Sequence, residues 1–167
     1  EAKNCLFRIY KDARYARDGL PYKTHFGIHL VTSGKRSAFN RAGFYLHIEP
    51  GASMMAGGAH APSPEWLRQI RLRLLHNGGE LVETVTEPSF KKMFGEVQGD
   101  RLVRPPQGFI GDLADNPYIE WIKYKSLWVK RDLTDAQISG KKLAEIATET
   151  FVVYQPFQRF LNEAREV

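Results

Sequence analysis

The sequence predicts an α+β fold in which a largely antiparallel sheet, formed by the N-terminal third, is packed by C-terminal helices. Two observations lead to this prediction. Three stretches between residues 5 and 49 alternate apolar and polar side chains with a period of two, which is typical of strands. Mostly helical sequence follows from residue 63 onward, and strands followed by helices indicate an antiparallel sheet rather than alternating βα units. The length of 167 residues, without a linker-like segment, favours one domain over 1–167.

The alternation also predicts which side chains share a face of the sheet, because successive residues of a strand point to opposite faces. The apolar positions are expected to face the core: Cys5, Phe7 and Ile9, then Tyr22, Thr24, Phe26, Ile28 and Leu30, then Phe44, Leu46 and Ile48. The remaining positions would share the opposite face: Arg8, Tyr10, Lys23, His25, His29, Tyr45, His47 and Glu49. Residues 52–61 are small and apolar and are expected to form a buried strand.

The first helix is expected to begin at Ser63-Pro64-Glu65. Serine caps a helix, proline suits its first turn, and glutamate interacts favourably with the helix dipole. Gly78-Gly79 is expected to end it. Further elements are predicted as short helices at 80–86, 88–94 and 116–124, a hairpin at 97–103, a strand at 127–130 and a long helix at 140–166 kinked at Pro156. The three tryptophans, Trp66, Trp121 and Trp128, are expected in the core.

The net positive charge lies entirely in the first 50 residues, which hold nine Lys and Arg against four acids, whereas residues 51–167 hold fifteen of each. Such a region is typical of a site for anions or nucleic acid, although +5 is also an ordinary solubilising charge. No apolar run approaches the length of a membrane span, so we expect a soluble chain without a membrane partner. The single cysteine allows no internal disulfide and fits a reducing compartment, the cytoplasm.

Several segments along nearly the whole chain also occur, in this order, in a known family. They are Phe7-Arg8-Ile9-Tyr10-Lys11-Asp12 with Arg14 and Tyr15, Lys23-Thr24-His25, Gly43-Phe44-Tyr45-Leu46-His47-Ile48-Glu49-Pro50-Gly51, Arg104-Pro105-Pro106-Gln107-Gly108-Phe109, residues 127–130, and Pro156-Phe157 with Phe160-Leu161-Asn162. The chain thus resembles the conserved bacterial and fungal proteins catalogued as domain of unknown function twenty-four sixty-one.

The chain departs mildly from that family's pattern. Lys11 stands where members usually have Arg, Tyr15 stands where Phe is usual, and Gly19-Leu20 replaces a more polar stretch that contains Lys. The resemblance brings no activity to transfer. It does imply that the family's N-terminal helical segment, which precedes Glu1, is missing here. Without that segment the apolar face of the final helix would be exposed, which predicts a homodimer or poor behaviour of this chain alone.

The polar face of the predicted sheet is the candidate site. Histidines, tyrosines, a carboxylate and cations on one surface can bind an anion and transfer a proton. The leading hypothesis is a pocket for a small phosphorylated or carboxylated ligand. Its candidate catalytic residues are His25, His47 and Glu49, and its candidate ligand-binding residues are Arg8, Arg14, Lys23 and Tyr45.

Three alternatives stay open at this point. A hydrolase-type enzyme would use His47 or Glu49 as a general base, with or without a metal. A nucleic-acid or protein interaction module would use the loop at 32–41, although no run of Lys and Arg exceeds two residues. An antiparallel sheet also commonly has one solvated polar face that serves no function.

The spacing of His25 and His29 excludes a metal ion shared by these two residues. Four residues along a strand separate the side chains by roughly 13 Å, whereas zinc ligands lie about 2.0–2.1 Å from the metal. A site that combines either histidine with His47 and Glu49 stays open, and no metal ligand is assigned. The sequence contains no phosphate loop, dinucleotide fingerprint or serine-nucleophile motif, so no cofactor is expected.

Overall fold

A four-stranded antiparallel sheet forms the centre of the computed structural model, which describes residues 5–11, 21–31, 41–110 and 115–164. The strands follow one another across the sheet in chain order: β1 (Phe26–Leu30), β2 (Gly43–Ile48), β3 (Ser53–Ala59) and β4 (Leu127–Leu133). The helices of the described residues are α1 (Pro64–Thr86), α2 (Pro88–Phe94), α3 (Ile119–Ile122), α4 (Asp135–Ser139) and α5 (Leu143–Glu163). The predicted α+β fold with an antiparallel sheet is confirmed.

The N-terminal segment 5–11 runs beside β1 without forming a full strand. It is held by two isolated bridges, Leu6 with Ile28 and Tyr10 with Tyr22, and the Phe7 N–H donates to the Gly27 carbonyl over 2.9 Å. This register places Leu6 on the side of Ile28 and Phe7 on the opposite side. The prediction that Phe7 faces the core is therefore wrong.

This error arises because apolar residues occupy both odd and even positions of the segment. Cys5, Leu6 and Phe7 are consecutive apolar residues, so the alternation alone does not fix which of them points inward. A shift of one residue moves every side chain of a strand to the other face. Arg8 has the same parity as Leu6 and is exposed.

Helix α1 consists of two helical segments that meet at a kink at Asn77, next to Gly78-Gly79, where the sequence predicts the end of one helix and the start of another. The chain leaves helical geometry only at Asn77, with φ at −129°, and the helix then resumes. Gly78 is buried, and a Cβ atom there would overlap the ring of Tyr118. The glycine therefore also allows the close approach of Tyr118 directly after the kink.

The predicted hairpin at 97–103 is also wrong, whereas the predictions of the helix at 140–166 and of the strand at 127–130 are incomplete. Residues 97–103 form no hairpin, because Gln98 bridges to Trp128 and Arg101 bridges to Tyr124. The predicted helix at 140–166 is preceded by a separate α4, which is capped by reciprocal hydrogen bonds between Thr134 and Gln137. Strand β4 runs to Leu133 rather than ending at residue 130. No helix in the described parts of the chain is both long and apolar enough to cross a membrane.

The helices pack on one face of the sheet. Phe44, Met55 and Val129 are buried on that face. Tyr154 of α5 is also buried, and it fits against Gly57 because a side chain there would overlap its ring. Its hydroxyl donates to the Gly43 carbonyl over 2.9 Å, which satisfies a polar group deep in the core. The opposite face of the sheet is left to carry the site.

The cap of α1 gives a first testable prediction. The Ser63 side chain accepts a hydrogen bond from the Trp66 N–H over 3.2 Å. We expect Ser63→Ala to lower the free energy of unfolding by about 1 kcal/mol, within the usual range for lost caps. Urea denaturation of both proteins measures this difference. An unchanged denaturation midpoint would show that the cap does not stabilise the helix.

Candidate functional site

The candidate site lies on the sheet face turned away from the helices, here called the histidine face. In β1 and β2 it carries Gly27, His29, Tyr45 and His47, which pair as Gly27 with His47 and His29 with Tyr45. In β3 and β4 it carries Met54, Ala56, Gly58 and Trp128, on the parity opposite to the buried residues. Phe7 joins this face from the N-terminal segment, since its ring meets Tyr45 edge-on with centroids 6.0 Å apart.

Three side chains at one end of the histidine face form a compact group, here called the histidine cluster: His25, His47 and Glu49. One ligand atom of each lies within 4.8 Å of the others. The rings of His25 and His47 stack with centroids 4.4 Å apart. His47 Nε2 is 2.9 Å from Glu49 Oε2. His47 and Glu49 are two residues apart and therefore point to the same side of β2 and of the residue that follows it. His25, which directly precedes β1, lies beside them.

Two further residues complete the hydrogen bonding of this cluster. The Tyr45 hydroxyl lies 3.1 Å from His47 Nδ1, on the far side of the imidazole from Glu49. The Thr24 hydroxyl donates to Glu49 Oε1 over 2.6 Å. Both nitrogens of His47 and both oxygens of Glu49 thus have polar neighbours. A carboxylate bound to an imidazole in this way fixes the orientation and the tautomer of the ring.

The surroundings of the cluster favour a neutral His25 and an ionised Glu49. Burial lowers the pKa of His25, and the nearby His47 lowers it further. The hydrogen bonds from Thr24 and then from His47 lower the pKa of Glu49. Burial raises the pKa of the Tyr45 phenol, and the charge of Glu49 adds to this effect. At neutral pH the cluster therefore offers the carboxylate of Glu49 and an imidazole lone pair of His25.

A pocket of about 400 Å³ lies beside the cluster on the same face. Its lining consists of Phe7, His29, Arg41, Gly43, Tyr45, Met54, Ala56, Gly57, Gly58, His60, Ala61 and Trp128. The pocket forms because β3 places small residues, Ala56 and Gly58, between the taller side chains of its neighbours Tyr45 and Trp128. None of the described residues in the lining is acidic.

The polar groups of the pocket are donors of several kinds. Arg41 is exposed, and no acidic group pairs with it in the ranges that the structure describes. His60 meets the Trp128 ring edge-on, with centroids 5.3 Å apart. His29 is half-buried, and this burial lowers its pKa. Tyr45 connects the two parts of the site, since it lines the pocket and contacts His47.

The structure brings together some of the candidate residues and not others. His25, His47 and Glu49 form one cluster, and Tyr45 lies between this cluster and the pocket. Lys23 acts on His25 only through its charge, which lowers the pKa of that histidine, and it does not line the pocket. Arg8 is exposed and also does not line it.

Other candidates fall partly or wholly beyond the described residues. Arg14 lies outside them, and so does the loop at 32–41 apart from Arg41. The interaction module proposed for that loop stays a prediction. Homodimer formation and a cytoplasmic location also stay predictions.

Sequence reasoning missed much of the pocket. Phe7 was expected in the core, and so was Trp128, which is half-buried on the histidine face opposite Gly58. Trp66 is buried as expected, and Trp121 packs against the core. A signal for the pocket is nevertheless present in Ala56-Gly57-Gly58. Small residues in a central strand leave the sheet surface bare between taller neighbours.

Comparisons with known proteins bear on identity alone. No curated protein and no solved structure gave a significant match to this chain. A family described as "Conserved hypothetical protein (DUF2461)" matches residues 1–160, nearly the whole sequence. The chain therefore belongs to the DUF2461 family of conserved hypothetical proteins.

Proposed function

We propose that this protein binds a small molecule with an apolar or aromatic body and one phosphate or carboxylate group in the pocket of the histidine face. The observation that supports the proposal most is the composition of the pocket lining. Apolar and aromatic side chains form the walls, Arg41 supplies a formal positive charge, and no described lining residue is acidic. An anion is favoured in such a pocket, and a cation is not.

The size and shape of the pocket support a small-molecule ligand. Ligand pockets typically measure about 300–1,000 Å³ and have mostly apolar walls with a few directed polar groups. This one, at about 400 Å³, lies near the lower end of that range. Phe7, Met54 and Trp128 offer surfaces on which a ring or short alkyl chain can pack.

The donors of the pocket support a phosphate or a carboxylate on that body. The guanidinium of Arg41 presents a planar set of N–H groups that matches two oxygens of either anion. His29, Tyr45 and His60 can add single hydrogen bonds. Because Arg41 makes no described ion pair, binding an anion does not first require that one be broken.

The proposal is tested by calorimetric titration of the full chain with 1-naphthyl phosphate and, separately, with 1-naphthol. We expect the phosphate ester to bind about tenfold more tightly or better, since hydrogen bonds to charged groups contribute about 1.5–3 kcal/mol. Arg41→Gln is expected to remove that difference. Arg159→Gln, which changes an exposed arginine of α5, is the matched control and should leave it unchanged.

Equal affinities for the ester and the alcohol would contradict the proposal. An affinity that Arg41→Gln leaves intact would do the same, because Arg41 is the formal charge in the described lining.

A hydrolase-type enzyme is a second candidate function. The observation that favours it is the hydrogen-bonded pair of His47 and Glu49, 2.9 Å apart, which reaches the pocket through Tyr45. A carboxylate that orients an imidazole is a common arrangement for a general base. Turnover of 1-naphthyl phosphate to 1-naphthol, abolished by His47→Gln, would support this function. Binding of 1-naphthyl phosphate without turnover would contradict hydrolysis of this probe and would support the binding function alone.

A further inference from the structure

We propose that His25, His47 and Glu49 form a binding site for a divalent first-row transition-metal ion on the histidine face. The side chains supply two imidazoles and one carboxylate, and one ligand atom of each lies within 4.8 Å of the others. The site is distinct from the pocket proposed above, since none of these three residues lines that pocket.

The spacing of the donor atoms fits a shared ion. Zinc lies about 2.0–2.2 Å from nitrogen and carboxylate ligands, which in a tetrahedral site places two neighbouring ligand atoms about 3.3–3.6 Å apart. His47 Nε2 and Glu49 Oε2 are 2.9 Å apart, so they need to separate by only about 0.5 Å to reach the spacing of a ligand pair. His25 stacks on His47 with an angle of 28° between the rings, so the two imidazoles lie side by side. A small movement of His25 would bring the third ligand atom into range.

The outer hydrogen bonds leave the right atoms available. Metal-binding histidines usually hydrogen-bond through the nitrogen that does not face the metal, and the ligating carboxylates are hydrogen-bonded as well. Here the Tyr45 hydroxyl lies 3.1 Å from Nδ1 of His47, so that Nε2 faces Glu49 Oε2, and a bound ion would replace the hydrogen bond between these two atoms. Thr24 donates to Oε1 of Glu49, which leaves Oε2 for the ion. This arrangement is an observation independent of the clustering itself.

The donor set indicates the kind of metal. Imidazole favours zinc, iron, nickel and copper, whereas magnesium and calcium prefer oxygen ligands alone. Three protein ligands leave at least one coordination position for water or for a group of a bound molecule. Tyr45 lies between the cluster and the pocket, so that open position is near the ligand of the proposed function.

The test is equilibrium binding of zinc chloride to the full chain after treatment with a chelator, followed by calorimetry and by metal analysis after dialysis. We expect one zinc ion per chain, and no displacement by an excess of magnesium. His25→Ala, His47→Ala and Glu49→Gln should each weaken zinc binding by more than about a hundredfold, because changes to outer-shell partners alone cost about 10–100-fold. His76→Ala, which removes an exposed histidine of α1, is the matched control and should bind zinc like the unchanged chain.

Two controls separate the possible failures. Thermal unfolding of each variant in chelator shows whether it folds, and Glu49→Gln changes the least in shape. Titration of the metal-free, chelator-treated chain with 1-naphthyl phosphate tests the pocket alone, so the two proposals can fail independently. The metal site is overturned if the folded chain binds less than one equivalent of zinc, or if Glu49→Gln and both alanine variants bind zinc as tightly as His76→Ala.

Discussion

We expect Ala56→Phe to reduce the affinity for 1-naphthyl phosphate by about a hundredfold or more while leaving the protein folded. Ala56 is a half-buried residue of the central strand β3, and it forms part of the floor of the pocket. A phenyl ring there would occupy the space that the naphthyl group needs. The ring points away from the core, and aromatic residues are favoured in strands, so the sheet should tolerate it. Calorimetric titration measures the loss of binding, and thermal unfolding checks the fold.

The control for this substitution is Val152→Phe. Val152 is 60% exposed on α5 and does not line the pocket, so the same ring is added without filling the site. Binding should then match that of the unchanged chain. If Ala56→Phe folds normally and binds the probe with full affinity, the ligand does not occupy this pocket.

The largest effect on stability is expected from Phe157→Ala. Phe157 of α5 is fully buried, and its ring packs against Phe90 of α2 and Tyr154, at centroid distances of 5.7 and 6.1 Å. Loss of the ring removes buried apolar surface and leaves a cavity, which typically costs about 3–5 kcal/mol. In a domain of this size each kcal/mol lowers the melting temperature by about 2–4 °C. Urea denaturation and thermal unfolding measure the two quantities.

Phe151→Ala on the same helix is the matched control. Phe151 is 37% exposed and meets Phe44 edge-on, so its replacement should cost clearly less than that of Phe157. Equal losses for the two variants would show that α5 does not present the face with Tyr154 and Phe157 to the sheet.

Much of the fold could be predicted because the strands alternate with a period of two. That pattern identified β1 and β2 and placed Tyr45, His47 and Glu49 on one side of β2. It also placed His25 on the same face, although only the pairing of Gly27 with His47 shows that His25 reaches the cluster. Pairing between distant segments depends on register, which the alternation of a single strand does not contain.

Other predictions failed because tertiary contacts override local signals. Gly78 looks like a helix stop in sequence, and the helix does kink at the preceding Asn77, but it resumes directly with Gly78 buried against Tyr118. Trp128 looks like a core residue, but the parity of β4 turns it toward the histidine face while Val129 is buried. The sequence at 97–103 looks like a hairpin, but Gln98 pairs with Trp128 and Arg101 pairs with Tyr124, so the two halves of this segment do not pair with each other.

The pocket of the histidine face is tested most directly by a crystal structure of the protein grown with 1-naphthyl phosphate. We expect the naphthyl ring to pack among Phe7, Met54 and Trp128, with phosphate oxygens within about 3 Å of the Arg41 guanidinium, the distance of a charge-assisted hydrogen bond. A ring bound elsewhere on the chain, or a phosphate directed away from Arg41, would contradict the assignment of this pocket as the ligand site.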